Sequence, residues 1–141
     1  MSADVHTPET RSYNMSRIRG KNTKPEVKLR SLLHRAGLRF RIHDSRLPGK
    51  PDIVLPRYKA AIFVNGCFWH RHEGCKYCTF PKARKDFWDR KFADTVERDR
   101  VKQKQLREAG WDVFVVWECE LKSHPEDVAA SLINQLQKKV V

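Results

Sequence analysis

Apolar residues recur at helical spacing in three stretches of the chain. The first stretch follows Thr23-Lys-Pro-Glu26, a capping-box sequence with proline in the first turn. The second stretch runs over residues 87–109. The third is expected to begin at another capping box, residues 123–126, and to continue to Leu136. These patterns predict three amphipathic helices, and a short, more polar helix is predicted over residues 10–19.

Alternating and continuous apolar runs predict the strands. Residues 38–43 alternate apolar and polar side chains, as a half-exposed strand does. Residues 52–55 and 60–65 are two short apolar runs that a turn would join as a hairpin, and residues 111–117 are the most β-prone run. This order predicts an α/β sandwich with one sheet and helices on its faces, formed by a single domain over residues 1–141.

The charge of the chain indicates a polyanionic partner. There are 29 Lys and Arg residues against 17 Asp and Glu residues, for a net charge of +12 spread over the whole length. A local run of basic residues would be read as a solvated surface, but a surplus along the entire chain favours nucleic acid.

Four cysteines occur in a chain without a recognisable signal peptide, lipidation motif or apolar stretch of membrane-spanning length. That combination predicts a cytoplasmic protein whose thiols bind a metal rather than form disulfides. The candidate zinc ligands are Cys67, His72, Cys75, Cys78 and Cys119. Spacing favours the four cysteines, yet the histidine is equally well placed, so two ligand sets remain open. Cys119, which is distant from the others in sequence, could instead be a buried thiol at a strand end that binds no metal.

Candidate catalytic residues lie outside this cysteine group. Asp52 directly follows a proline at the start of an apolar strand, where a carboxylate is suited to Mg2+. It could instead cap the preceding turn. Glu26 is already explained by its capping box, whereas His70 could act as a zinc ligand, a general base or an exposed loop residue. The adjacent aromatic residues Phe68 and Trp69 are expected to contact the bases of a nucleic acid.

A series of motifs spans most of the chain and comprises Asp4-Val-His, Arg11-Ser, Asn14-Met15, Leu47-Pro-Gly-Lys-Pro-Asp52, Gly66-Cys-Phe-Trp-His70, Phe87-Trp88, Val96-Glu-Arg-Asp99 and Gly110-Trp through Val116-Trp-Glu-Cys119. Taken together and in order, these motifs resemble those of the very short patch repair (Vsr) endonucleases. The resemblance implies a restriction-endonuclease-like, three-layer fold with a central mixed sheet. It also implies an enzyme that nicks duplex DNA on the 5′ side of the thymine in a T:G mismatch, which arises when 5-methylcytosine is deaminated.

The resemblance assigns roles by matching position. Asp52 would be the principal Mg2+ ligand with the backbone carbonyl of Val64, and His70 would be the general base with Glu26 as its hydrogen-bonding partner. Asn65 belongs to this catalytic group too, because the best-known members carry a second active-site histidine there.

The DNA-intercalating residues implied by the resemblance are Phe68, Trp69 and Trp88, with Met15 entering from the other groove. Met15 belongs to an N-terminal DNA-contacting arm over residues 1–20.

The structural zinc would be held by Cys67, His72, Cys75 and Cys119, which would leave Cys78 free. The chain departs from the family pattern by one extra residue between His72 and Cys75.

Two alternatives keep different functions in view. Loss of the second histidine at Asn65 is compatible with a zinc-stabilised DNA-binding relative that does not cut. A restriction-type endonuclease would share the fold, but its usual acid-x-lysine motif is missing from residues 60–65. The resemblance further implies a monomer in the bacterial cytoplasm, associated with the nucleoid, that works with mismatch-repair proteins and has no contact with membranes.

Overall fold

A computed structural model describes residues 22–139 of the chain. In chain order its elements are α1 (Lys24–Arg35), β1 (Arg41–Ile42), β2 (Ile53–Leu55), a 3-10 turn (Pro56–Tyr58), β3 (Ala60–Asn65), α2 (Lys85–Glu108), β4 (Asp112–Trp117), α3 (Glu118–Ser123) and α4 (Pro125–Lys138). The predicted helix over residues 10–19 and the intercalating role of Met15 lie outside the described residues.

The four strands form one mixed sheet in the order β1-β2-β3-β4. Neighbouring strands are antiparallel from β1 to β3, whereas β4 runs parallel to β3. A parallel pair needs a long crossover, and α2 supplies it between β3 and β4. The predicted mixed α/β architecture and the β2-β3 hairpin are therefore confirmed.

One face of the sheet carries the main hydrophobic core. Side chains that alternate along β2 and β3 point to this face and pack against α1, α3 and α4. The buried residues of this core are Leu29, Leu33, Leu38, Ile53, Leu55, Ala60, Ile62, Val116, Leu121, Ala129, Leu132 and Leu136.

The other face of the sheet is covered by α2. Phe63 lies on this face, one position beyond Ile62, and its ring lies beside the turn that contains Gly49. A Cβ atom built on Gly49 would stand 2.9 Å from the Cβ of Lys102, a residue of α2. The sheet therefore lies between two helical layers, and the Pro-Gly turn before Asp52 packs closely on the second one.

The helix starts test the capping predictions. Thr23 is the N-cap of α1 and accepts a hydrogen bond from the backbone N–H of Glu26 at 3.4 Å, which confirms half of the predicted capping box. The Glu26 side chain does not complete the box, because it bonds His43 instead. The predicted capping box at residues 123–126 is wrong, because Ser123 is itself the last residue of a short helix, α3, and His124 precedes α4. Within the described residues no side-chain hydrogen bond caps α4, which starts instead at Pro125.

The first strand is shorter than its alternating pattern predicts. Its partner β2 has three residues, and the register pairs Arg41 with Val54 and Ile42 with Ile53. The ladder ends there because His43 adopts a positive φ of 46°.

None of the helices between residues 22 and 139 is both long and apolar enough to span a bilayer.

Candidate active site and metal centre

A cleft of about 710 Å³ opens at one edge of the sheet. The carboxyl ends of the parallel strands β3 and β4 meet at this edge, and the antiparallel β2 begins there. Residues far apart in sequence therefore converge on the cleft, and its lining includes Glu26, Asp52, Asn65, His70, Asp99 and Glu118.

Asp52 lies at the start of β2, next to the end of β3. Its Oδ2 accepts a hydrogen bond of 2.7 Å from the backbone N–H of Val64. The pKa of Asp52 is raised from 3.8 to about 7, chiefly by burial and also by the nearby carboxylate of Glu26, while the hydrogen bond from Val64 acts in the opposite direction. A buried carboxylate of this kind is suited to a bound cation, which would offset the unfavourable burial of its charge.

Glu26 is buried in the first turn of α1, with its residue only 2% exposed. Its Oε2 accepts a hydrogen bond of 2.7 Å from Nε2 of His43, and Arg30 lies 3.6 Å away on the next turn. The pairing of Glu26 with His70 that the resemblance implied is therefore wrong. The reason is tertiary, since the end of β1 places His43 between Asp52 and the start of α1.

His70 has a different carboxylate partner. Its Nδ1 donates a hydrogen bond of 2.6 Å to Oδ2 of Asp99, a residue of α2. Both side chains are about a quarter exposed, and both line the cleft. With Nδ1 held in this way, the neutral imidazole has its lone pair on Nε2 and can accept a proton there. Sequence reasoning missed this role of Asp99, although the residue ends the motif Val96-Glu-Arg-Asp99.

Asn65 is the last residue of β3 and is buried, at 5% exposure. It pairs in register with Trp117 of β4 and lines the same cleft. Its side chain therefore stands in the candidate active site, where an amide can hydrogen-bond water or phosphate but cannot titrate near neutral pH.

The predicted zinc ligands come together beside this cleft. One donor atom from each of Cys67, His72, Cys75 and Cys119 lies within 4.8 Å of the others. Among the described cysteines, Cys78 is outside this group. The structure thus brings together the ligand set that contains the histidine.

Local backbone bonds and one distant strand build this cluster. The loop folds back through bonds from the N–H of His72 to the carbonyl of Cys67 and from the N–H of Cys75 to the carbonyl of His72, at 3.0 and 3.4 Å. The His72 ring stacks on Trp117 with centroids 4.2 Å apart, and its Nδ1 lies 3.4 Å from Sγ of Cys119.

The chemistry of these donors fits zinc. Burial raises the pKa of the Cys67 thiol to about 12, so its thiolate requires a cation at neutral pH. Three thiols and an imidazole are the donors that tetrahedral zinc prefers, and four protein ligands leave no open position for a substrate.

The aromatic residues after the first cysteine form one cluster at the mouth of the cleft. Phe68 makes edge contacts with Trp69, Trp88 and Phe92, at centroid distances of 5.1, 5.8 and 5.1 Å. Phe68, Trp69 and Trp88 are only half-buried. Arg71, which sequence reasoning did not single out, lies over the Phe92 ring at 3.8 Å and donates a hydrogen bond to the carbonyl of Phe68. The arginine therefore supports the base of the aromatic cluster.

Comparison with known proteins agrees with this arrangement. The sequence profile of the family described as DNA mismatch endonuclease Vsr matches residues 3–76. Type II nicking enzyme V.XorIIP of Xanthomonas oryzae pv. oryzae is 50% identical over 118 residues, 84% of this chain and 86% of the relative. DNA mismatch endonuclease Vsr of Escherichia coli is 43% identical over 136 residues, 96% of this chain and 86% of the relative. Type II nicking enzyme V.NmeAIP of Neisseria meningitidis serogroup A is 42% identical over 137 residues, 97% of this chain and 96% of the relative. These matches confirm the resemblance seen in the motifs, and the chain belongs to the Vsr family of DNA mismatch endonucleases.

Proposed function

We propose that this protein is a Mg2+-dependent endonuclease that nicks one strand of duplex DNA on the 5′ side of the thymine in a T:G mismatch. The observation that carries the proposal is the cleft itself, where a buried carboxylate, a His-Asp pair and an aromatic cluster lie together. The strand order and the two helical layers support a restriction-endonuclease-like fold. We further propose that the protein acts as a monomer in the bacterial nucleoid, and that other repair proteins process the nicked product.

The residues around Asp52 fit a catalytic divalent cation. The free oxygen of Asp52 and the backbone carbonyl of Val64 would hold Mg2+, which prefers oxygen ligands. When bound, the ion neutralises the charge that develops on the phosphodiester during hydrolysis.

His70 would act as the general base. The bond to Asp99 orients the imidazole, fixes its Nδ1–H tautomer and stabilises the imidazolium that forms when Nε2 takes a proton from the attacking water. Asn65, at the neighbouring strand end, would position water or a phosphate oxygen through its amide group.

The aromatic cluster would detect the mismatch. Opening a base step costs a few kcal/mol, and it costs least where base pairing is already defective. Phe68, Trp69 and Trp88 support one another by ring contacts, so they can enter the base stack as a preformed wedge. The cysteine and histidine cluster would hold Zn2+ and fix the loop that carries this wedge.

A nicking assay tests the proposal. The zinc-loaded protein is incubated with Mg2+ and with T:G and T:A duplexes that are otherwise identical and carry a label on either strand. It should make one nick, in the thymine strand of the T:G duplex. Trp69→Ala should reduce the T:G to T:A ratio of nicking rates, by ~5- to 150-fold if the stacking contribution of about 1–3 kcal/mol per base is lost. Equal nicking of both duplexes by the wild-type protein would contradict mismatch specificity.

A second candidate function follows from Asn65. A relative that lacks the second histidine could bind mismatched DNA without cutting it, because an amide does not supply a titrating group. Binding of the T:G duplex without any nick at saturating Mg2+ would favour this candidate. Cleavage of both strands at paired sites would instead indicate a restriction-type enzyme.

A further inference from the structure

His43 forms a mixed carboxylate and imidazole cluster with Glu26 and Asp52. One donor atom from each of the three residues lies within 4.8 Å of the others. Ligands on opposite sides of an octahedral ion lie about 4 Å apart, because metal–oxygen bonds in such sites are about 2.1 Å long. The three side chains therefore need only a small adjustment to bind one ion.

The backbone fixes His43 at this position. The register of β1 with β2 pairs Ile42 with Ile53, so His43 stands opposite Asp52 at the end of the ladder. Its backbone N–H donates a hydrogen bond of 3.1 Å to the carbonyl of Asp52. The positive φ of His43 ends the ladder at this point, and the side-chain donor atoms of His43 and Asp52 lie within 4.8 Å of each other, which is close enough to share a ligand.

The surroundings of His43 are buried and carry opposing charges. The side chains of His43 and Glu26 are 10% and 3% exposed, and Nε2 of His43 lies 2.7 Å from Oε2 of Glu26. The guanidinium of Arg30 lies 3.6 Å from Oε2 of Glu26. With a neutral imidazole, two carboxylates against one guanidinium leave a net negative charge, which a divalent cation bound at the Nε2 lone pair of the Nδ1–H tautomer would neutralise.

We infer that His43 is a ligand of the catalytic divalent ion, together with Asp52 and Glu26, and that the site binds Mn2+ in preference to Mg2+. This inference rests on the proposed function, because it assigns a further ligand to the same metal position. Mg2+ prefers sites made of oxygen alone, whereas imidazole is a ligand for transition-metal ions and Mn2+ accepts both donor types. The neutral His43 ring would carry its remaining proton on Nδ1.

Electron paramagnetic resonance of Mn2+ tests the inference without DNA. Zinc-loaded wild-type protein, His43→Gln and the control His34→Gln are titrated with Mn2+, and Mg2+ is then added as a competitor. His34 is an exposed residue in the last turn of α1, so its replacement should leave metal binding unchanged. His43→Gln should weaken Mn2+ binding by ~10-fold or more, since the loss of even an outer partner of a metal ligand weakens binding 10- to 100-fold. Mg2+ affinity should fall less, which lowers the Mn2+ preference.

Nitrogen coupling to the bound Mn2+ gives a readout that does not depend on a variant's stability. The spin-echo spectrum of the wild-type complex should show one coordinated imidazole nitrogen, and 15N-labelling of histidine should change that signal. The coupling should persist in His34→Gln and disappear in His43→Gln. Wild-type protein without nitrogen coupling, or coupling and affinity unchanged in His43→Gln, would overturn the inference.

The nicking assay separates this inference from the proposed function. T:G nicking by a wild-type protein that shows no imidazole coupling would refute His43 as a ligand and leave the endonuclease proposal intact. Imidazole coupling in a protein that never nicks would support the metal site and refute the endonuclease proposal.

Discussion

Asp52 is expected to destabilise the metal-free protein above neutral pH. Its carboxyl group has a pKa of 3.8 in an unfolded chain and about 7 in the folded protein, because burial disfavours the charged form. Each pH unit of this difference corresponds to about 1.36 kcal/mol. The variant Asp52→Asn keeps an oxygen that can accept the hydrogen bond from Val64 but has no charge to bury. It should therefore be more stable than wild type above pH 7, by at most ~4 kcal/mol.

The sign follows from the raised pKa. Well below pH 3.8 the carboxyl group is protonated in both states, and the two proteins should be equally stable. As the pH rises from 4 to 7, the unfolded chain releases its proton while the folded protein retains it, so wild type loses stability relative to Asp52→Asn. Above pH 7 both states are ionised and the difference stays constant.

Urea unfolding of zinc-loaded protein, without added Mg2+, measures this difference at pH values from about 4 to 8. Asp44→Asn is a useful control of opposite sign. Asp44 is ion-paired with Arg46 at 2.9 Å, which lowers the pKa of the carboxyl group to about 2, so its removal should reduce stability above pH 4. Added Mg2+ at a hundred times its dissociation constant should stabilise wild type by about 2.7 kcal/mol and leave Asp52→Asn unchanged. A difference between wild type and Asp52→Asn that does not vary with pH would refute the reasoning.

Three further predictions follow from the site and its support. Asp99→Asn should lower the nicking rate by ~10²-fold without weakening DNA binding, because a positioned general base contributes a factor in this range. The control Asp94→Asn, at an exposed position of the same helix, should nick at the wild-type rate. Cys119→Ser should purify with less zinc and unfold more easily, whereas Cys78→Ser should retain its zinc. Metal release to a chromogenic chelator measures the zinc content. Equal zinc loss in both variants would contradict the ligand set. Gly49→Ala should lower the free energy of unfolding by ~1–3 kcal/mol more than Gly37→Ala. Both glycines have a positive φ, but of the two only Gly49 would place a Cβ atom against Lys102 and Phe63. Equal losses in the two variants would show that backbone strain alone decides the effect.

The predicted secondary structure was accurate where local physics decides it. The N-cap at Thr23, the long amphipathic helix and the β2-β3 hairpin depend on side-chain spacing and on short-range bonds, which the sequence displays directly. The capping box at residues 123–126 failed because the chain does not extend from β4 into a loop. It turns at once into α3, where the backbone N–H of Trp117 donates a bond to the Glu120 side chain, and Ser123 completes that helix.

The composition of the candidate site was visible in the sequence, but its pairing was not. Carboxylates, thiols and imidazoles grouped in motifs indicate metal binding and catalysis before any fold is known. Which carboxylate meets which histidine depends on how separate elements pack. Glu26 bonds His43 because β1 ends beside the first turn of α1, and His70 bonds Asp99 because α2 crosses the opposite face of the sheet.

The sequence by itself therefore determined the family, most of the elements and the chemical types of the candidate site residues, since motifs and periodicity are properties of the linear chain. The tertiary structure alone decided which site residues contact one another. Parallel pairing of β3 with β4 brings Cys119 to the loop that carries Cys67, His72 and Cys75, across a separation of more than forty residues. Strand register likewise places His43 opposite Asp52, because a sheet fixes neighbours by backbone hydrogen bonds that no local pattern specifies.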